Sequence, residues 1–548
     1  MYRFLFTLRE QLTTTWLVVA SLVVLAALLT LVLTRFASLR ALGQVVRGLR
    51  SHDVDAPGQV APWLAAASGA AVTGSAATFV AVASAITLAG SGVLVWLWLF
   101  VPLAIALRHG EAVLARSTGA RGPAGELAGS LSVRLRRDDA AAARVLGWVL
   151  VVAVVLAAIA MGGATQGVAI AETTRAMPGG GDIGRWVATA VAVGAIVLTI
   201  LPRARAWKMG GLVAVIGLAL ALVASLAAFL ADPIDALATV LRAMREASSD
   251  AGYSGSFLGA SKVQILAAAA AVMLPALAAP TGVTGTFAWA SQARTTRLAA
   301  AATAAEVIVP VAIASIAGLA LVGTGAFGRT VPDEIGWEDV RVHREGIASV
   351  AERDASERWS SDLLRVRNGN LGGTQVLANE RGPIESPELS LDGRAGDFAI
   401  ALRDGRAERF LLPGRFGLDD APLDRVLGVR VRGTSNPTGA AALREATAGM
   451  GGAWAGWAWV LAFVALGAAG IAGWGQAVER SVGGTLPVAA RHGLRVLPAL
   501  GVLAIHVVPE SLLRSAGNAT AALAVAVAAV GVLVGSRAVA RATLDSRS

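Results

Sequence analysis

Val82-Ala83-Ser84-Ala85-Ile86-Thr87-Leu88-Ala89-Gly90-Ser91-Gly92-Val93-Leu94-Val95-Trp96-Leu97-Trp98 carries one apolar segment into the next through a Gly-Ser-Gly turn. No polar loop fits between them. Two such segments must run antiparallel across a bilayer, because hydrocarbon leaves no solvent for unpaired backbone in an open connection.

The rest of the chain agrees with that environment. It has 548 residues, 55% of them hydrophobic and 15% charged, with a mean hydropathy of +0.64. Those values belong to a polytopic membrane protein rather than a soluble one. The 62 glycines and abundant alanines would let helices approach closely where lipid supplies no hydrophobic drive; a GC-rich coding sequence would give the same alanine bias. The net charge is +10 and the chain has no cysteine, which excludes disulfides and thiolate chemistry. The arginines flank apolar runs, so the charge reads as membrane orientation and not as nucleic-acid binding.

A helix needs about twenty apolar residues to cross a bilayer. About eleven segments meet that requirement: Leu12–Thr34, Trp63–Ala89, Val93–Leu107, Val145–Ala171, Trp186–Leu201, Gly211–Leu230, Val263–Ala290, Leu298–Val322, Trp454–Trp474, Val496–Pro509 and Ala519–Val534. The first is too long for a signal-peptide core and lacks a cleavage site, so a retained helix is expected. Basic residues gather in alternate connections, among them Arg35, Arg40, Arg47 and Arg50, then Arg108, Arg116, Arg134, Arg136 and Arg137. That alternation puts the odd loops and the C-terminus inside and the N-terminus outside. Arg3 and Arg9 fit this poorly; an interfacial helix is one account of them.

Between the eighth and ninth segments the composition changes. Residues 328–444 hold roughly half of the acidic side chains and several strand-like runs, with Phe398–Leu402 and Glu408–Leu412 flanking the hairpin signal Asp404-Gly405. The expected division is therefore 1–327 for the first eight spans, 328–444 for a small β-rich extracytoplasmic insertion, and 445–548 for the last three spans. A long disordered loop is the competing reading of 328–444.

Val82–Trp98 also resembles the corresponding stretch of the sodium:alanine/glycine symporter family, the alanine or glycine:cation symporters. Further similar segments follow in order: Arg108-His109-Gly110-Glu111-Ala112-Val113-Leu114-Ala115, Met161-Gly162-Gly163-Ala164-Thr165-Gln166-Gly167-Val168-Ala169-Ile170-Ala171, Gly252-Tyr253-Ser254-Gly255-Ser256, and Gly473-Trp474 with Glu479-Arg480. The resemblance implies the amino acid–polyamine–cation transporter architecture. One extra helix precedes two inverted five-helix repeats, and the first helix of each repeat is broken at mid-membrane. Here those would be Trp63–Ala89 and Val263–Ala290. Unwound backbone can ligate Na⁺ and half-helix N-termini can hold a carboxylate.

On that pattern the substrate would meet Thr78, Gln166, Thr281, Gly282 and Thr284, and Na⁺ would lie near Ala77, Thr78 and Thr286. Pro280-Thr281-Gly282-Val283-Thr284-Gly285-Thr286 has the hydroxyls and helix breakers such a site needs. It matches the family's SNEAGLGSAP only loosely, and a simple proline kink is the competing reading. At the first break the family's GTGNIAG is replaced by Ser75-Ala76-Ala77-Thr78-Phe79-Val80-Ala81. Either the break shifts to Gly69 or Gly74, or the helix is continuous and holds no site. Gln166, an amide deep in an apolar helix, either hydrogen-bonds substrate or bonds another helix. Glu306 is an intramembrane carboxylate, read as functional or as the partner of an inner-side arginine. Glu479 and Arg480 read as a structural ion pair.

His52, His109, His343, His492 and His506 are scattered and form no metal constellation. No nucleophile or phosphate-loop motif stands out, so an enzyme is not expected. No resident cofactor is expected either. The function expected is Na⁺-coupled symport of small neutral amino acids such as alanine or glycine, across the inner (plasma) membrane of a bacterial cell. The alternative is a carrier-fold protein without transport, acting as a sensor or binding an envelope partner through 328–444.

Overall fold

The computed structural model describes residues 23–56, 58–117, 130–177, 180, 183–230, 233–248, 282–326, 331–337, 340–344, 362–372, 375–379, 382–403, 406–414, 417–435, 438–451, 453–483 and 486–544. The expected spans Leu12–Thr34 and Val263–Ala290 therefore lie partly outside the described residues, and Thr281 lies wholly outside them.

Among the described residues seven helices are long and apolar enough to cross a membrane, or up to nine if each of two bent pairs is one span. One bent pair is α1 (Pro62–Thr73) with α2 (Ala76–Ala89), turned through 46°. The opening sequence then reads out directly. α2 ends at Gly90, whose φ of +77° is a conformation that suits a residue with no Cβ, and α3 (Val93–Ser117) starts three residues later.

α3 runs ten residues beyond the expected Val93–Leu107. Arg108 and Arg116 are thus helical residues and not loop charges, and Arg108 is fully buried. Hydropathy alone ends a span at its first charge. This helix continues because interior partners compensate the charge.

Next come α4 (Ala141–Ile159), one π-helical turn over Ala160–Ala164, and α5 (Thr165–Arg175), which together form a single membrane-length element. α6 (Ile183–Ile200), α7 (Arg203–Phe229) and α8 (Pro233–Ser248) follow. The later helices are α9 (Thr284–Ala290), α10 (Thr296–Ala302), α11 (Ala305–Gly323), α12 (Gly439–Gly451), α13 (Ala453–Val482), α14 (Leu497–Val502) and α15 (Glu510–Val534). The expected span Val496–Pro509 is the short α14 followed by a 3₁₀ turn, Leu503–His506.

α1 sits at the centre, packed on α7, α11, α13 and α9, while α2 packs on α12 and α5. Small residues set these approaches. Gly211 of α7 lies against Leu64, and Gly470 of α13 lies against the Ala71 carbonyl. Backbone bonds join the entry of α1 to the exit of α9: Gln59 and Val60 donate to the Ala290 carbonyl at 2.8 and 3.1 Å, and Gln292 donates to that of Val60 at 2.9 Å.

The described residues within 331–435 are mostly strands. The larger sheet runs Val331–Gly336, Val429–Ser435, Glu385–Leu391, Asn370–Gly372, Asp362–Arg367, Phe398–Arg403, Arg406–Gly414, Gly417–Ala421, with the short Arg394–Ala395 beside Glu385–Leu391. Phe398–Arg403 and Arg406–Gly414 pair antiparallel with Arg403 opposite Arg406. This is the hairpin expected there; residues 404–405 themselves lie outside the described set. Ile335, Trp337, Leu364, Phe398, Ile400 and Phe410 fill its core.

Candidate functional site

The joint between α1 and α2 is Gly74–Ser75. Gly74 closes α1 by donating to the Ala70 carbonyl at 2.6 Å. Ser75 is extended (φ −71°, ψ 167°) and opens α2. The break thus falls at the shifted position and the helix is not continuous. Glycine is required here because a Cβ on Gly74 would sit 2.5 Å from that of Pro310.

A new helix start leaves backbone N–H groups without intrahelical acceptors. Gln166 of α5 supplies one: its Oε1 accepts from the Ala77 N–H at 3.2 Å. Its Nε2 donates to Ser75 Oγ at 2.8 Å and to the Met161 carbonyl at 3.3 Å. Thr78 Oγ1 donates to the Thr73 carbonyl at 2.5 Å and lies 3.2 Å from Ser75 Oγ. The buried amide is therefore fully engaged, as its desolvation requires. Beside the start of α2 lies an aromatic cluster, with Phe79 5.9 Å from Trp459 and 6.0 Å from Phe463 between ring centres.

The second centre surrounds α9. Gly282 has φ +107°. Its N–H donates to Glu111 Oε2 at 2.7 Å, and that of Gly285 donates to Glu111 Oε1 at 2.8 Å. Glu306 is 1% exposed and hydrogen-bonded to Thr284. It lies directly over Gly69 of α1. Thr286 is buried, and its hydroxyl has no hydrogen-bond partner among the described residues.

Arg108 connects the two centres. Its Nη1 donates to Thr73 Oγ1 at 2.6 Å and reaches the Glu306 carbonyl at 3.5 Å, and its charge faces Glu306 and Glu111. A continuous buried polar path therefore runs from Gln166 through Ser75, Thr78, Thr73, Arg108 and Glu306 to Thr284. Of the expected site residues, Thr78 and Gln166 meet at the first break, with Ala77 joining through its N–H. Gly282 and Thr284 belong to the second centre, and Thr286 lies in the same short helix. Arg108, Glu111 and Ser75 were not among the expected site residues. The signal for the first two was a three-residue spacing of opposite charges continuing an apolar run, which puts both on one helix face.

Glu479 and Arg480 each have a further partner. Arg495 Nε donates to Glu479 Oε2 at 2.7 Å, and the Arg480 guanidinium stacks 4.0 Å from the Trp289 ring centre, capping the end of α9.

Gly69 yields a direct test. A methyl there would overlap the Glu306 carboxyl group. Gly69→Ala is expected to destabilise the protein by about 1–3 kcal/mol through overpacking. The readout is thermal unfolding in detergent, and an unchanged midpoint would place Glu306 elsewhere.

Membrane-length helices, one of them broken in its middle, around a buried polar seam define a multi-pass membrane protein. Residues 2–261, just under half of the chain, match the family model of the sodium:alanine symporter family. The matched stretch includes the first break, Gln166 and α3; α9 and everything after it lie beyond. No curated protein matches the chain.

Proposed function

We propose that the protein carries a small neutral amino acid such as alanine or glycine together with Na⁺. The observation that supports this most is the Gln166 amide lodged in the α1–α2 break. It offers a hydrogen-bonding edge where an amino acid's polar groups would exchange with Ser75, Thr78 and the Ala77 N–H. In this reading Thr78, Gln166, Thr281, Gly282 and Thr284 contact substrate. Ala77, Thr78 and Thr286 contribute oxygens to Na⁺, with the unpartnered Thr286 hydroxyl facing no competing donor among the described residues. The architecture is one helix followed by two inverted five-helix repeats, eleven spans in all, rocking around the seam. The N-terminus is outside and the C-terminus inside, in the inner membrane of a bacterial cell. Residues 1–327 and 445–548 form the membrane part, and 328–444 form an extracytoplasmic insertion.

Purified protein in liposomes should accumulate radiolabelled alanine or glycine when an inward Na⁺ gradient is imposed, and should stop when the gradient is collapsed. Absence of saturable uptake with either amino acid would overturn the reading.

A second reading is favoured by one observation. The polar backbone at the α1–α2 break and at the start of α9 is already engaged by the chain's own side chains, Gln166 at the first and Glu111 at the second. A protein that has given up transport and uses 328–444 to sense a ligand or bind an envelope partner would keep them so permanently. The same uptake assay separates the two.

A further inference from the structure

α9 is a seven-residue helix, too short to hold its own position by propensity. α3 grips it at both ends. At the start, the two Glu111 oxygens accept from the N–H groups of Gly282 and Gly285 at 2.7 and 2.8 Å. At the finish, Arg116 Nη1 donates to the carbonyls of Ala288 and Ser291 at 2.9 and 2.8 Å, and Nη2 donates to that of Ala293 at 3.3 Å. Between these clamps Gly285 rests on Ala115, and a Cβ on Gly285 would lie 2.6 Å from that of Ala115.

Each charge meets the end of the helix that suits it. The carboxylate takes N–H groups and the guanidinium takes carbonyls. Five residues separate Glu111 from Arg116, a rise of about 7.5 Å along α3. The helix they bracket is about 10.5 Å long by the same rise, a difference the long Glu and Arg side chains span, so the two contacts also fix its register.

We propose that Glu111 and Arg116 are positioning residues that make α9 a rigid attachment of α3, so that Thr284 and Thr286 are placed by α3 rather than by the chain leading into α9. This rests on the carrier reading only for the meaning of the site; the attachment itself is tested without transport. The chain has no cysteine, so Ser117→Cys and Arg294→Cys, both exposed in the native chain, give a clean pair for spin labels on α3 and just past α9. Their separation, measured by pulsed electron resonance on the full-length protein, should be a single narrow distribution. It should be the same with and without Na⁺ and alanine.

In the Arg116→Gln background, and in Glu111→Gln where that variant is recovered folded, the distribution should broaden. Where native protein transports, each variant should also lose about tenfold or more in maximal uptake, with Arg116→Lys recovering part of it. A native distance that shifts on adding Na⁺ and alanine, or an Arg116→Gln distribution as narrow as the native one, would overturn the attachment. Absence of uptake by native protein would instead count against the carrier reading and leave the distance result standing.

Discussion

Gln166→Ala should reduce saturable Na⁺-driven alanine uptake by roughly a hundredfold, to background, while the protein remains folded. The side chain makes three hydrogen bonds, to Ser75, the Met161 carbonyl and the Ala77 N–H. Exchange of such bonds with a charged amino acid is worth about 1.5–3 kcal/mol, and each 1.4 kcal/mol is tenfold in affinity or rate. The variant also leaves the Ala77 N–H without its buried acceptor, which costs about 1–3 kcal/mol of stability. That is a fraction of what a large helical bundle can lose before unfolding. The measurement pairs uptake in liposomes with the elution profile and unfolding temperature of the same preparation. Normal uptake by Gln166→Ala would remove the first break from the substrate path.

A larger structural effect is expected at Arg108. It is fully buried, and two carboxylates, Glu111 and Glu306, lie within its field. Removing the guanidinium strands negative charge inside the membrane, and breaking a buried charge set in this way costs about 3–5 kcal/mol. Arg108→Ala should therefore yield little monodisperse protein. The double replacement Arg108→Gln with Glu306→Gln removes one charge of each sign and should recover folded protein well beyond what either single change predicts. That non-additivity is the signature of direct coupling. An Arg108→Ala protein as stable as the parent would show that the seam is not electrostatically closed.

Several features could be read from the sequence. The Gly90-Ser91-Gly92 turn, the long apolar segments and the Phe398–Arg403 hairpin follow from rules of hydropathy, glycine conformation and turn chemistry, which act over a few residues. The break near Gly74 was one of two open alternatives, because Ser75-Ala76-Ala77 is as compatible with helix as with its interruption. Proline decides it: Pro310 of α11 lies where a Cβ on residue 74 would be, and that neighbour is more than two hundred residues away in sequence. The same holds for Arg108 and Glu111. A charge after an apolar run reads as the end of a span unless its partners are known. Here those partners are Thr73, Glu306 and two backbone amides on other helices. Glu479 likewise found Arg495 across a helix boundary. Pairing within the membrane is a property of the assembled bundle, whereas the order of spans is a property of the chain.

The Gly-Ser-Gly connection has a mechanical consequence. Three peptide units reach at most about 11 Å, so the facing ends of α2 and α3 are on a short leash. Any swing of α2 about the Gly74 joint must tow α3 with it, and α3 carries the Glu111 and Arg116 grip on α9. A flexing at the α1–α2 joint is in this way delivered to α9 along α3 as well as through the direct backbone bonds between the entry of α1 and the exit of α9.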